Sequence, residues 1–501
     1  MQDRKLIVGV AKGMLLLLLA MLACKYTAGG GALLIAGVAV VCAFAGKIGW
    51  SMIAYILFPF MIVLNPVVLP KTGITGMVLR FAPMVVTVVL VITAASRRGR
   101  HQIPMGMMWP FLGVAALCSM NGYFPQISYL KILNCAILFI GLNIGFRNID
   151  KRPGDVFTIR QFLLVVSAFL VWGSVLLLVF MPGAAYLSSM RLMGQEGISA
   201  SAALLSAPTG MTLFCGMTNQ SQCLAVVLPV TMAWLACDMF FVEKRLTKFH
   251  MLTIAAGLPL VYMTRSRSGL LTSVVAATLI YGYCLKKVNL RQSIRRKLKS
   301  AMMGLGVLII LCAGVMEVKS HAITKWLRKT EDVAGDTRGF GEAVTESRMG
   351  LVESSMADFR SNPLFGTGFQ VAEYMKYAFK DEKGLILSAP IEKGVLPVMV
   401  LGETGIIGSI FFWLFIVTFY VGCVKKRLYC CATLHTVFIV TNMAEATYFS
   451  PGGIGGYLWV MCVGGGFIID TIVLHHRRLE AIARQQQIEW MMAGGGEGNR
   501  K

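Results

Sequence analysis

The chain reads as a series of apolar runs of about 17–25 residues divided by short polar breaks, the length a helix needs to cross the hydrocarbon core of a bilayer. In lipid every backbone N–H and C=O must be satisfied within the chain, so these runs are helices. The pattern predicts roughly fourteen spans, centred near Leu17, Val38, Leu57, Val88, Leu112, Leu138, Val171, Val230, Leu258, Ala276, Leu308, Phe415, Phe438 and Val463. Twelve serve equally if one early pair is miscounted. Leu6–Cys24 has the length of a span and no small-residue cleavage pattern, so it is expected to be the first helix. The expected fold is an all-α polytopic membrane protein of 12–14 helices.

Composition supports this reading. Of 501 residues, 56% are hydrophobic and only 14% charged, against about 25% charged in soluble proteins. The net charge of +23 raises the question of nucleic acid. Its distribution excludes that partner, because the basic residues sit in short loops between spans: Arg97/Arg98/Arg100, Lys151/Arg152, Lys244/Arg245/Lys248, Lys286/Lys287, Arg295/Arg296/Lys297/Lys299, Lys425/Lys426/Arg427 and Arg477/Arg478. That is the signature of cytoplasmic loops facing anionic membrane lipid. The thirteen cysteines form no CxxC pair and no Cys/His ligand spacing, so no metal site and no disulfide framework is expected. No motif calls for a cofactor.

Alternating sides from a cytoplasmic Arg4/Lys5 puts every one of these clusters inside, together with both termini. The chain then divides into helices 1–11 over residues 1–318, a large outer loop at 319–394, three last spans over 395–475 and a cytoplasmic tail at 476–501. A second long outer loop runs from about 183 to 222. The 319–394 segment holds about half of all Asp and Glu. It contains a helix-like stretch, Glu346–Phe359, and is expected to form a partly helical cap.

The candidate chemistry lies on the outer side. Leu260–Leu271 breaks at Thr264-Arg265-Ser266-Arg267-Ser268-Gly269, which places two guanidinium groups where the positive-inside rule disfavours them. Arg265 and Arg267 either snorkel to headgroups or grip a phosphate through the planar fork. Arg348 lies in the large loop, ahead of Asn362-Pro363-Leu364-Phe365-Gly366-Thr367-Gly368-Phe369, a tight turn begun by Asn-Pro. Glu403, in Gly402-Glu403-Thr404-Gly405, is an acid at the start of an apolar run. It is either functional or a helix-start carboxylate held by backbone N–H groups. Glu445 is similar. Asn219, in Met217-Thr218-Asn219-Gln220-Ser221-Gln222, reads most simply as the N-cap of the following helix.

SRSG after a span, then a large outer loop carrying an Arg and an NPLFGTGF turn, then GETGIIG opening the next span, resembles the O-antigen ligase and polymerase superfamily, from about Arg191 to Gly456. TNQSQ looks like that family's Asn-Pro-Asn-type element without the Pro. The resemblance implies a GT-C-like glycosyltransferase architecture in the bacterial inner membrane. It implies transfer of a glycan from an undecaprenyl-diphosphate carrier to an acceptor glycan or lipid, alongside other envelope-polysaccharide assembly proteins. Arg267 and Arg348 match the arginines assigned to the diphosphate, and preorganised Arg can stabilise that leaving group without a metal. Arg265, Arg191, Lys393, Asn219 and Glu403 are the further substrate-binding candidates. The family's ligases carry a His about eleven residues before the second Gly of the GETG-type turn. Here that count lands on Gly394-Val395, and Glu392 is the substitute base. A transporter or flippase of lipid-linked sugars is disfavoured by the large outer loop and the lack of internal repeats. A non-catalytic scaffold of an export complex is the remaining alternative.

Topology is directly testable. In a cysteine-free background, Asp336→Cys and Gln486→Cys should be labelled from opposite sides of the membrane by an impermeant thiol reagent; labelling of both from one side overturns the assignment.

Overall fold

The computed structural model describes residues 2–27, 29–70, 73–94, 102–149, 153–186, 213–280, 282, 340–372, 395–443, 445–451 and 453–494. It is a bundle of helices, and among these residues the one β-type pairing is an isolated bridge between Leu64 and Thr218. The helices are α1 (Gln2–Tyr26), α2 (Gly30–Phe44), α3 (Ile48–Val63), α4 (Gly73–Ala94), α5 (Met108–Cys118), α6 (Pro125–Ile149), α7 (Pro153–Phe180) and the single turn α8 (Pro182–Ala185). They continue as α9 (Ser221–Cys237), α10 (Lys248–Met263), α11 (Arg267–Leu279), α12 (Phe340–Ser361), α13 (Leu396–Lys425), α14 (Tyr429–Asn442), α15 (Ile454–Trp459) and α16 (Gly465–Gly494). π-helical turns extend α9 through Asp238–Val242 and join α15 to α16 through Val460–Gly464.

Thirteen of the fourteen expected centres fall inside helical segments; Leu308 lies outside the described residues. Seven helices are long and apolar enough to cross a membrane, and four shorter apolar helices accompany them. The chain is an all-α polytopic membrane protein. The expected helix at Glu346–Phe359 lies within α12, while most of the two long outer loops lies outside the described residues.

Burial sorts the helices. α9, α15 and the first part of α16 are buried almost throughout, whereas α1, α2 and α4 turn rows of Leu, Val and Ile outward. The outward rows need no protein partner because lipid tails are as apolar as they are. At one end of the bundle, Arg160 of α7 makes a two-pronged ion pair with Asp238 (2.7 Å for each bond) and bonds Glu243 (2.6 Å). His250 of α10 completes the cluster at 3.0 Å from Asp238. Buried charges are tolerated when paired and hydrogen-bonded in this way.

At the other end, Asn65 ties three segments together. It is fully buried just beyond α3, and its amide donates to Ala184 O (2.9 Å) and Gly216 O (3.0 Å) while its side-chain oxygen accepts from Val67 N (3.0 Å). The Leu64–Thr218 bridge adds backbone bonds from Asn65 N to Met217 O and from Asn219 N to Val63 O. Asn219 is therefore held by its backbone against α3. The N-cap of α9 is Gln220, with no side-chain cap bond, which corrects the expectation that Asn219 caps this helix. Pairing with the α3 end moves the helix start one residue further on.

Asn65→Ala removes three hydrogen bonds that fasten this end, those to Ala184 O, Gly216 O and Val67 N, and a buried group left unsatisfied costs about 1–3 kcal/mol. The variant should melt clearly below the parent in detergent. An unchanged melting temperature would show that Asn65 does not fasten this end.

Candidate functional site

α13 is the core of the site. It does not run as one regular helix, because Gly405 adopts φ 62° and ψ −164° in its interior. An unbroken helix pairs Gly402 O with Ile406 N and Glu403 O with Ile407 N. Here both bonds are replaced. Thr367 N donates to Gly402 O and Gly368 N to Glu403 O, each at 3.0 Å, while Ile406 N donates to Pro363 O (2.9 Å) and Ile407 N to Leu364 O (3.3 Å). The NPLFGTGF turn is thus inserted into the break and satisfies all four opened backbone groups, as a low-dielectric setting demands. Two glycines make the approach possible. A Cβ on Gly366 would lie 2.4 Å from Glu403 C, and one on Gly405 would lie 2.3 Å from Leu364 O; both residues have positive φ.

The turn is also anchored from below. Phe369 N donates to Ser119 Oγ (3.0 Å) and Tyr123 N to Thr367 O (2.8 Å), tying it to the α5–α6 connection. Phe369 packs with Phe111, Phe412 and Phe449 in an aromatic cluster whose Phe111–Phe449 pair is stacked at 5.4 Å. The same cluster joins α5, α13 and the loop after α14.

A chain of buried polar groups runs beside the break. Gln370 is held at φ 55°, a left-handed conformation that costs a non-glycine residue about 1 kcal/mol or more. That geometry presents its carbonyl to Lys131 Nζ at 2.8 Å. Its amide reaches Glu403 Oε1 at 3.5 Å and lies 3.5 Å from Met399 Sδ. Lys131, Gln370 and Glu403 are all buried. Glu403 sits eight positions inside α13, next to the break, so it is not a helix-start carboxylate; the helix opens at Leu396 with Pro397 in its first turn. Tyr123 OH donates to Asp358 Oδ1 at 3.2 Å and fastens α12 to the same region.

The SRSG motif forms a turn between α10 and α11. Arg265 takes φ 54° and is exposed, and Ser266 caps α11 by accepting from Gly269 N (3.3 Å). Arg267 is the first residue of α11 and is half-buried. α11 packs against the start of α9, where a Cβ on Gly269 would come 2.6 Å from Ala225 O. α11 and α13 both pack on α14, so the helix that ends at Asn442 and leads to the buried Glu445 lies against both motif-bearing helices. Arg348 belongs to α12, but its side chain, together with Arg191, Glu392 and Lys393, lies outside the described residues.

Three residues here carry no motif signal. Lys131 and Arg80 are cations inside the apolar helices α6 and α4, and intramembrane charge is the signal by which they could be found. Arg80 lines a narrow crevice with Tyr55, Thr87, Asn134 and Pro451, between α3, α4, α6 and the loop after α14. Gln370 follows the GTGF turn with nothing in the sequence to mark it. The buried His435 of α14 bonds Tyr448 OH (2.8 Å) and Tyr420 OH (3.2 Å) and packs against Phe419 and Trp459 in mid-helix. Among the described residues no group of His, Cys, Asp and Glu has the arrangement of a metal site.

The stitched break makes a sharp contrast among glycines. Gly366→Ala and Gly405→Ala combine positive φ with backbone overlap and should each destabilise by several kcal/mol. Gly350→Ala, in α12 with nothing near its Cβ position, should change stability by less than about 1 kcal/mol, in the stabilising direction. Thermal melting of the three variants in detergent checks this; equal behaviour would mean that the inserted turn does not hold the helix.

No curated protein matches the chain. The family model described as O-Antigen ligase matches residues 252–413. That span begins in α10 and covers the SRSG turn, α12 with Arg348, the GTGF turn and the GETG break. Through this central segment, the chain matches the O-antigen ligase superfamily.

Proposed function

We propose that the protein transfers an oligosaccharide from an undecaprenyl-diphosphate carrier to an acceptor glycan or lipid at the outer face of the bacterial inner membrane, as a polymerase or ligase. The observation that carries this reading is that the family match spans SRSG, Arg348, GTGF and GETG together, and the last two form one hydrogen-bonded unit in the fold. The family match supports a glycan ligase or polymerase role; the carrier and the residue roles are our assignment.

In the proposed step the acceptor hydroxyl oxygen attacks the anomeric carbon. The bond from that carbon to the diphosphate oxygen breaks, the electron pair leaves with the diphosphate, and the hydroxyl proton passes to Glu392. Arg267 and Arg348 hold the diphosphate and take up its growing charge, which lowers the barrier more than it tightens ground-state binding. The position of Arg267 at the α11 N-terminus adds the helix dipole to its own charge. Lys393, Arg191 and Asn219 are assigned to the flanking sugar and phosphate groups, and Arg265 to the rim. Glu403 and Lys131 act through Gln370 by fixing the turn.

Arg267→Ala and Arg348→Ala should each lower polymer formation about 100-fold or more, the usual cost of removing a preorganised charge donor. Carrier-linked glycan should accumulate while the protein stays in the membrane. Arg267→Lys should rescue poorly, since one ammonium lacks the bidentate fork, and Arg265→Ala should retain most activity. Glu392→Gln should lower turnover strongly and leave carrier-glycan binding nearly intact. Normal polymer in both arginine-to-alanine variants would remove the diphosphate site, and a fully active Glu392→Gln would place the base elsewhere.

A further inference from the structure

At the end of the bundle opposite the candidate site, α13 finishes at Lys425 and α16 continues beyond the helical core. Between them lies an open recess of about 370 Å³, lined by Lys425, Lys426, Arg427, Leu474, Arg477 and Arg478. We propose that this recess is a binding site for the phosphate headgroup of an anionic membrane lipid, seated in the leaflet at that end. The inference rests on the chain being a polytopic membrane protein and is independent of the glycan-transfer reading.

Three observations carry it. The first is convergence. Short basic loops normally splay their charges into water, where a Debye length of about 8–10 Å mutes their repulsion. Here five cations, three at the end of α13 and two midway along α16, line one concavity, and among the described residues no acid lines it.

The second is that three acids close in sequence have partners outside the recess lining. Asp470 receives Cys430 N (3.0 Å) and Cys431 N (2.9 Å), capping the first turn of α14. Glu480 pairs with Lys244 at 3.5 Å, and Glu489 accepts from Gln485 at 3.0 Å. Partial burial also lowers the Lys426 ammonium from the ordinary lysine value, although its Nζ donates to Gln102 O at 3.0 Å. A desolvated cation gains from an incoming anion.

The third is what borders the recess. The last turn of α13 exposes Val421 and Val424 immediately before Lys425, and α16 exposes Leu479 and Ile482 immediately beyond Arg478. A soluble anion has no use for such a border. A phospholipid places its acyl chains along the valines and its phosphate among the cations, in the manner of basic pockets between helix ends that hold anionic headgroups. The two adjacent arginines of α16 supply planar forks suited to phosphate oxygens.

The test uses the full chain in nanodiscs of phosphatidylcholine with a graded fraction of phosphatidylglycerol or cardiolipin, reading co-purifying lipid by native mass spectrometry. The parent should retain anionic lipid at a fraction at least tenfold lower than an Arg427→Gln/Arg477→Gln/Arg478→Gln variant needs. A control that removes three charges outside the recess, Lys5→Gln/Lys248→Gln/Arg484→Gln, should behave as the parent. Ala481→Trp, which fills the recess and keeps all five cations, should lose the lipid as well and covers the case in which the charge variant does not fold. Millimolar pyrophosphate should not displace the lipid. Equal retention by the parent and the Arg427→Gln/Arg477→Gln/Arg478→Gln variant, retention by Ala481→Trp, or displacement by pyrophosphate would each overturn the proposal, the last by assigning the recess to a soluble anion.

Discussion

A helix in a membrane protein can be broken only if something else satisfies the backbone it opens. In this protein that requirement is met by one turn. Gly405 opens two carbonyls and two N–H groups in α13, and Pro363, Leu364, Thr367 and Gly368 satisfy all four. The turn cannot shift by one residue without leaving donors facing donors, so the register of the loop motif is fixed against the helix motif. The segment after the break, residues 406–425, is about 30 Å long, one membrane thickness. It turns Ile406, Ile410, Trp413, Val417, Val421 and Val424 outward as a continuous apolar row. The segment before it is buried instead at Met399, Val400, Gly402 and Glu403. The break therefore separates the lipid-facing part of α13 from the part that builds the site.

From this joint the rest of the site is positioned by packing. Phe369 enters the aromatic cluster beneath the turn, Gln370 bridges Lys131 and Glu403, and Tyr123 reaches Asp358 of α12. Each of these contacts joins residues far apart in sequence, so the site is assembled by the bundle and not by any loop alone. The Asn65 knot does the same for the TNQSQ segment, and α14 lies against both α11 and α13. Both ends of the bundle hold buried polar groups in specific pairs, Asn65 with its carbonyl partners at one and Arg160 with Asp238 and His250 at the other, and the second end also lines a recess with like charges.

The spans were legible because hydrophobic length is a strong constraint in lipid, and the NPLFGTGF and GETG motifs were legible as turn chemistry and small residues. Their partnership was not, because the bonds that join them run between backbone atoms, which every residue has. Asn219 has the composition of an N-cap, yet pairing with Val63 consumes its position and passes the cap to Gln220. Glu403 has the look of a helix-start acid, yet Pro397 starts the helix earlier. For Asn219 a tertiary backbone contact overrode local cap propensity, and for Glu403 the proline upstream set the start of the helix.

The sequence by itself determined the class of the protein, the approximate places of its helices, and the arginines at SRSG and along α12 that make these segments candidates. It did so because apolar length, charge placement and glycine-proline chemistry act locally. The tertiary structure alone decided that α13 is broken at Gly405, that GTGF fills that break, that Lys131 and Gln370 belong beside Glu403, and that two separate basic clusters line one recess. Those outcomes depend on which backbone groups and charges are brought within a few ångströms by helix packing, and composition along a single chain does not encode that proximity in any readable period.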